Sequence, residues 1–173
     1  MVNKIVLIGY MGVGKTSVAK ELGKITNLEV VDLDDLIEQK ENKTIEELFR
    51  TKGELYFRKL EHQILAALLV NEKSFILSTG GGTPCYYNNH LLLEQNNINS
   101  IYLQASINTL SERLQNEKQK RPLIKDLNSV ELKEFIGKHL FERSYFYHKA
   151  LNKVNIDAKS ITQIVAEIKT LLF

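Results

Sequence analysis

A chain of 173 residues is long enough for one domain with a substantial core. Its 43% hydrophobic and 25% charged residues are ordinary for a globular protein and exclude a collagen-like or wholly disordered chain. The 23 Lys and Arg residues nearly balance the 21 Asp and Glu residues, so the net charge of +2 gives no support for nucleic-acid binding.

Short apolar runs alternate with stretches whose apolar residues recur at helical spacing. The predicted elements are, in chain order, strand 4–8, helix 15–26, strand 28–34, a helical turn at 36–37, a helix after the capping box Thr44-x-x-Glu47, a longer helix from Gly53 to about 70, strand 75–78, helix 88–95, strand 101–103, a helix capped by Ser106, a polar loop at 116–128, helix 129–150, strand 154–156 and a helix capped by Ser160.

This alternation predicts parallel βαβ units and therefore the α/β class, as a three-layer α/β/α sandwich. Ligands bind such sheets beyond the carboxyl ends of the strands. We therefore expect the functional residues in the loops that follow residues 8, 32, 78, 103 and 156, and we expect those loops to form a single site.

The loop after the first strand, Gly9 to Thr16, reads GYMGVGKT and fits the phosphate-loop pattern G-x-x-x-x-G-K-[ST] at every fixed position. Its glycines would let backbone N–H groups surround a phosphate at the start of the following helix. Lys15 would reach the β- and γ-phosphates, and the Thr16 hydroxyl would bind Mg²⁺. The glycine spacing does not fit the dinucleotide pattern G-x-G-x-x-G.

The phosphate loop indicates a nucleotide but not the class of enzyme. The N-K-x-D stretch by which GTPases usually read guanine is absent, and the third strand ends at Ser78 without a carboxylate. The acidic candidates near the metal are therefore Asp32 and Asp34, whose side chains would point the same way at the end of an extended strand. The alternative is that Asp34 or Asp35 caps the next helical turn.

The glycine triplet and three arginines complete the set of candidates. Gly80-Gly81-Gly82 follow the third strand, where they could admit a small ligand to backbone N–H groups or could form a flexible turn. Arg58 could pair with Glu61 on one helix face, functionally or as a solvated surface pair. Arg121, in the polar loop, and Arg143, late in a long helix, are solvated by default.

Taken together, these motifs resemble the shikimate kinase family over nearly the whole chain. The stretches that carry the resemblance are GYMGVGKT at 9–16, VDLDDLIE at 31–38, G-E-x-x-F-R-x-x-E at 53–61, STGGG at 78–82, RPL at 121–123 and R-x-x-x-Y-x-x-A at 143–150. Asn89-His90 stands where the family often has Asn-Arg, and no function is assigned to His90.

The resemblance implies a nucleoside-monophosphate-kinase-like P-loop fold, with five parallel strands in the order 2-3-1-4-5. It implies transfer of the γ-phosphoryl of ATP to the 3-hydroxyl of shikimate, with Mg²⁺ as cofactor. The implied site residues are Lys15, Asp34 and Arg121 for catalysis; Gly12, Val13, Gly14, Lys15, Thr16, Ser17 and Arg121 for ATP; Asp34, Arg58, Gly80, Gly81, Gly82 and Arg143 for shikimate; and Thr16, with Asp32 through water, for the metal. The loop at 157–160 should face adenine.

The resemblance also implies one kinase domain over 1–173, with a substrate-binding segment at about 33–61 and a lid at about 116–127. The expected partners are ATP and shikimate, without nucleic acid or membrane. A cytoplasmic location is expected, because the single cysteine, Cys85, excludes an internal disulfide and no apolar run is long enough to span a bilayer. A monomer is the default expectation, because the sequence shows no obvious excess of apolar surface. The alternatives are another small-metabolite kinase, such as gluconate kinase, and a non-catalytic nucleotide-binding regulator.

Overall fold

A computed structural model describes residues 4–121 and 123–172, so Pro122 of the RPL stretch lies outside the described residues. Five parallel strands form one sheet in the order β2-β3-β1-β4-β5. The strands are β1 (Lys4–Ile8), β2 (Glu29–Asp32), β3 (Phe75–Ser78), β4 (Ile98–Gln104) and β5 (Asn152–Asn155). Both the predicted fold class and the predicted strand order are confirmed.

Helices cover both faces of the sheet, which gives the three-layer sandwich. They are α1 (Lys15–Thr26), α2 (Leu33–Glu41), α3 (Ile45–Val70), α4 (Asn89–Leu93), α5 (Ile107–Glu117), α6 (Ser129–Tyr147) and α7 (Ile161–Leu172), with 3₁₀ turns at Thr83–Cys85 and Lys118–Lys120. Helix α1 packs against α7, α2 against α3, and α5 against α6. Among the helices of the described chain, none has the length and apolar content needed to cross a bilayer.

Strand β1 lies at the centre of the sheet and is buried along its whole length. Val6 pairs with Leu77 on one side and with Ser100 on the other. Leu7 and Asp32 both pair with Ser78, so β1, β2 and β3 end at the same level. This register brings the phosphate loop, the acidic pair and the glycine triplet to one edge of the sheet.

Local signals set several helix ends as expected. Thr44 and Glu47 form the predicted capping box, and Gly53 interrupts α3 with φ 81° and ψ 170°. Ser106 caps α5, and Ser160 accepts a hydrogen bond from the backbone of Gln163 in α7. Each cap satisfies backbone N–H groups that have no partner within the helix.

The prediction of strand 28–34 is wrong at its end, because β2 stops at Asp32 and α2 starts at Leu33. Asp32 itself is the helix cap, and its carboxylate accepts a hydrogen bond from the Asp34 backbone N–H at 3.1 Å. Asp34 therefore projects from the first helical turn. The expected parallel alignment of the two carboxylates on an extended strand does not occur.

The bounds of four other elements also differ from prediction. Strand β4 starts at Ile98 rather than 101, because Ile98 pairs with Lys4 of β1, and β5 starts at Asn152, which pairs with Ile101. Sheet pairing therefore extends strands beyond their apolar sequence. Helix α4 covers only 89–93 of the predicted 88–95, and α6 ends at 147 rather than about 150.

Candidate active site

A cleft of about 320 Å³ lies at the carboxyl edge of the sheet. It is enclosed by the loops after β1, β2 and β3 and by the segment that follows α5. The predicted site residues that line it are Gly12, Gly14, Lys15, Thr16, Ser17, Asp32, Asp34, Gly80, Gly81 and Arg121; Met11, Ser78, Thr79 and Glu117 also line it and were not predicted. One cavity thus brings together residues that are far apart in sequence.

The phosphate loop has a backbone that requires glycine. Gly12 has φ 77°, and a Cβ placed on it would lie 2.8 Å from the side chain of Leu114. Gly14 has φ 98° and caps α1 without a side-chain hydrogen bond, so the first N–H groups of that helix stay available to a ligand. The loop is shaped as an anion site by backbone alone.

Lys15 is almost completely buried at the mouth of this loop. Its Nζ donates hydrogen bonds to the carbonyls of Gly9, at 2.8 Å, and Tyr10, at 3.1 Å. Burial lowers the pKa of Lys15 to about 8, although the carboxylates of Asp34 and Asp32 oppose that shift. The Lys15 ammonium is therefore mostly charged at neutral pH, and a bound anion would favour the charged form further.

Oxygen atoms gather at the first turn of α1. The Thr16 hydroxyl donates to Oδ2 of Asp32 at 2.9 Å and lies 3.2 Å from Oγ of Ser78. Hydroxyl and carboxylate oxygens are the donors that Mg²⁺ prefers. Within residues 4–121 and 123–172, no three acidic, His or Cys side chains cluster closely enough to hold a metal by themselves. A metal here would therefore need ligands from a bound phosphate.

Asp34 extends into the same cleft from the start of α2. Burial raises the pKa of Asp34 to about 6, with the neighbouring carboxylates of Asp32 and Glu61 adding to the shift. A Cβ on Gly80 would lie 3.3 Å from Oδ1 of Asp34, so Asp34 faces the glycine triplet. A carboxylate with this pKa is ionised at pH 7 and can still accept a proton.

Arg58 is held by a carboxylate that water does not reach. Its Nη1 lies 2.9 Å from Oε2 of Glu61, which is fully buried, and its side chain is only 11% exposed. Oε1 of Glu61 accepts a hydrogen bond from the Thr83 hydroxyl at 2.6 Å. Arg58 and Glu61 therefore form the ion pair that their spacing on the helix predicted. The pair is buried, so the alternative of a solvated surface pair is wrong.

Arg58 and Arg143 do not line the main cleft but flank the glycine triplet. A Cβ on Gly82 would lie 2.6 Å from Nη2 of Arg58, and one on Gly81 would lie 3.6 Å from Nη1 of Arg143. Any side chain at Gly82 would therefore displace the Arg58 guanidinium. The two cations converge on one short backbone segment.

Tyr147 connects that segment to α6. Its hydroxyl donates to the Gly81 carbonyl at 2.6 Å, and the ring is fully buried. The positive charge of Arg143 opposes the rise that burial causes in the pKa of this hydroxyl. Tyr147 appears in the R-x-x-x-Y stretch, but sequence reasoning gave it no role because its partner lies 66 residues away.

The predicted lid begins at the end of α5 and continues through the 3₁₀ turn Lys118–Lys120 to Arg121. Arg121 donates to Oε2 of Glu117 from Nη2 at 2.8 Å and from Nε at 3.2 Å. Its side chain is one third exposed at the cleft. Arg121 is thus placed at the entrance and paired with a carboxylate there.

A second cavity, of about 360 Å³, adjoins the outer side of the phosphate loop. Val13 lines it, together with Arg113 of α5 and Ile161 of α7. Arg113 donates to the Val13 carbonyl at 3.0 Å, a contact that nothing near Arg113 in sequence predicts. The loop at 157–160, which we expected to face adenine, does not line this cavity. The Asp157 carboxylate in that loop instead accepts a hydrogen bond from the Ser106 backbone N–H.

The chain matches the sequence model of the shikimate kinase family over residues 11–172. A relative called shikimate kinase, from Flavobacterium johnsoniae, is 51% identical over 169 residues, which cover 98% of each chain. This match includes nearly every element of the fold described above.

Two solved structures are similar to this one. The 1.7 Å crystal structure of shikimate kinase from Bacteroides thetaiotaomicron has a TM-score of 0.90 at 35% identity and covers 98% of this chain and 97% of its own. Shikimate kinase from Acinetobacter baumannii, solved in complex with shikimate, has a TM-score of 0.87 at 28% identity, with 99% and 93% covered.

Proposed function

The chain belongs to the shikimate kinase family, and we propose that its cleft holds the phosphates of ATP beside the shikimate acceptor. The enzyme transfers the γ-phosphoryl of ATP to the 3-hydroxyl of shikimate, and the products are shikimate 3-phosphate and ADP. One observation supports the placement most: the phosphate loop, Asp34 and the first two glycines of the triplet, Gly80 and Gly81, line a single cavity.

The donor half of the cleft is the phosphate loop. Backbone N–H groups from Gly12 to Ser17 surround the phosphates at the N-terminus of α1. Lys15 neutralises charge on the β- and γ-phosphates, and Arg121 does so from the entrance. Because Arg121 is paired with Glu117, it must exchange that carboxylate for a phosphate when ATP binds.

Mg²⁺ is the cofactor we propose for this half. Thr16 would bind it directly, and Asp32, which already accepts the Thr16 hydroxyl, would hold it through water. The ion would neutralise the charge that develops on the phosphates during transfer. The small number of protein ligands suits an ion that usually keeps several waters and takes substrate phosphates.

The acceptor half is the glycine triplet with its two arginines. A guanidinium can bind a carboxylate bidentately, so Arg58 and Arg143 suit the carboxylate of shikimate. The backbone from Gly80 to Gly82 lets the small acceptor approach closely. Asp34 accepts hydrogen bonds from acceptor hydroxyls and is placed to take the proton of the attacking one, since its pKa of about 6 permits both states.

Two segments of the chain bind the acceptor and close the cleft in this proposal. Residues 33–61 form the substrate-binding segment, since they include Asp34, Arg58 and Glu61, and residues 116–127 form a lid that closes over the phosphates with Arg121. Closure would exclude water and limit ATP hydrolysis. The second cavity, beside Val13, Arg113 and Ile161, is the place for the adenine base.

We further propose that residues 1–173 act as one monomeric kinase domain in the cytoplasm. The single cysteine, Cys85, supports the compartment, because it cannot form an internal disulfide and so fits a reducing environment. Sedimentation velocity tests the oligomeric state. A single species near 19.9 kDa is expected, and a dimer would contradict the proposal.

A coupled assay of ADP release tests the whole proposal. Mg-ATP is supplied with shikimate, with gluconate or with no acceptor, and each mixture is repeated with EDTA. Release that requires both shikimate and Mg²⁺ is expected. Release with gluconate would favour the other small-metabolite kinase, and ATP binding without release would favour the regulator.

A further inference from the structure

The phosphate loop is connected to α6 by a side-chain hydrogen bond outside the cleft. The hydroxyl of Tyr10 lies 2.9 Å from Nδ1 of His139, although the two residues are 129 positions apart. Tyr10 is almost completely buried, and the ring of Phe135 packs on His139 with its centroid 4.2 Å away. Packing around Tyr10 and around His139 therefore fixes the geometry of this hydrogen bond.

The environment keeps both partners of this hydrogen bond uncharged. Burial raises the pKa of Tyr10 to about 12, so its hydroxyl stays protonated. Burial and the nearby positive charge of Arg143 lower the pKa of His139, which favours the neutral ring. A neutral ring has one unprotonated nitrogen, and we assign the donor role to the Tyr10 hydroxyl and the ring proton of His139 to Nε2.

Each end of the pair contacts a group in the proposed reaction. The backbone carbonyl of Tyr10 accepts the hydrogen bond from Lys15 Nζ, on the nucleotide side. The guanidinium of Arg143, one helical turn beyond His139, lies 5.7 Å from the centroid of the Tyr10 ring, on the acceptor side. Movement of Tyr10 would therefore weaken the binding of both substrates, whereas movement of Arg143 or Lys15 alone would weaken the binding of one.

We propose that His139 is a positioning residue for phosphoryl transfer, which holds Tyr10 between Lys15 and Arg143 through the hydrogen bond at Nδ1. The inference rests on the proposed function, since it assigns these two cations to ATP and shikimate. An apolar residue at 139 could fill the same space, but it would not fix the hydroxyl of Tyr10. A hydrogen bond between two polar side chains in a partly buried place fixes the orientation of the Tyr10 hydroxyl.

Four single variants and the double variant His139→Leu/Tyr10→Phe test the proposal by steady-state kinetics with ATP and with shikimate. His139→Leu removes the acceptor and Tyr10→Phe removes the donor, each with little change in volume. His139→Asn retains an amide oxygen near the position of Nδ1. The matched control is His148→Leu at the C-terminal cap of α6, because His148 is exposed and its Nδ1 pairs with the Ser144 carbonyl rather than with the phosphate loop.

His139→Leu and Tyr10→Phe should each raise the KM for both substrates by about three- to tenfold, the usual loss for one hydrogen bond. The double variant should be no worse than either single one. His139→Asn should restore most of the affinity, and His148→Leu should leave both KM values unchanged. If His139→Leu does not fold, Tyr10→Phe carries the same test.

Unchanged KM values with a lowered melting temperature would show a purely structural role and overturn the inference. Additive losses in the double variant, or a His139→Asn enzyme as poor as His139→Leu, would overturn it equally. Wild-type turnover with shikimate in the same assay tests the proposed function separately. The inference alone fails when the wild-type enzyme turns over and the variants match it.

Discussion

The Glu61 carboxylate is fully buried and divides its two oxygens between Arg58 and Thr83. Oε2 lies 2.9 Å from Nη1 of Arg58, and Oε1 accepts the Thr83 hydroxyl at 2.6 Å. Thr83 follows the glycine triplet directly. One carboxylate therefore fixes an acceptor-side arginine relative to the backbone segment that it flanks.

We expect Glu61→Gln to weaken shikimate binding about tenfold or more while the KM for ATP changes little. The amide retains the shape but leaves a mostly buried guanidinium without its counter-charge, a change that costs several kcal/mol when one partner of a buried pair is lost. Glu54→Gln is the matched control, because Glu54 lies 3.5 Å from Arg58 but is 54% exposed. Equal effects of the two variants would contradict the special role of Glu61.

Asp34→Asn should stop most turnover and stabilise the fold at neutral pH. Burial and the neighbouring carboxylates raise the pKa of Asp34 from its ordinary value of 3.8 to about 6 in the folded protein, so the folded state prefers the neutral form. The stability that protonation contributes is present below pH 4 and is lost as the pH rises through 6. Asparagine is neutral throughout, so it does not lose that contribution.

Thermal melting from pH 4 to pH 8 checks this prediction. The melting temperature of Asp34→Asn should exceed that of the wild-type enzyme by a few degrees above pH 6, given about 1.4 kcal/mol per pKa unit. The difference should shrink towards pH 4. A variant that is less stable than the wild-type enzyme at pH 8 would show that Asp34 is not strained by its surroundings.

The loss of activity at alkaline pH should reflect deprotonation of Lys15. Its pKa of about 8 in the nucleotide-free structure means that the ammonium is lost as the pH rises through 8. We expect kcat/KM for ATP to fall above pH 8, whereas kcat should fall only at higher pH, because bound phosphates raise the pKa of Lys15 again. In Lys15→Arg the fall near pH 8 should be absent, whatever the residual rate, since arginine stays charged.

Tyr147→Phe should weaken shikimate binding without loss of the fold. The variant leaves the Gly81 carbonyl without its 2.6 Å hydrogen bond, and an unpaired buried polar group costs about 1–3 kcal/mol. The KM for shikimate should rise by about five- to a hundredfold, and the KM for ATP should stay within twofold. Tyr145→Phe serves as the control, because Tyr145 lies on the same helix and is mostly exposed. Equal shifts in both KM values would place Tyr147 outside the acceptor half.

Local signals predicted the alternation of strands and helices, the phosphate loop and most helix starts, whereas the strand order was implied by the resemblance to the family. These features depend on neighbouring residues, as the capping box at Thr44 and the left-handed glycines show. Asp34 was misplaced on the strand, because the Asp32 carboxylate accepts the Asp34 N–H and starts a helix where the apolar pattern continues as a strand. The capping signal was present, but it was given to Asp34 or Asp35.

Long-range partners account for what the sequence did not reveal. Arg113 binds a carbonyl 100 positions away, and Tyr10 and His139 meet only because α6 crosses the phosphate loop. Glu61 was visible as a partner of Arg58, but its complete burial depends on the packing around Thr83. Propensity and spacing carry no information about such contacts until the topology is known.

Isothermal titration of two variants tests the central claim most directly, which is that the two halves of the cleft bind different substrates. Arg143→Leu should lose most of its affinity for shikimate, by about 2–5 kcal/mol for a desolvated charge pair, and should bind ATP as the wild-type enzyme does. Lys15→Ala should lose ATP and keep shikimate. Equal weakening of both ligands in either variant would contradict the division of the cleft.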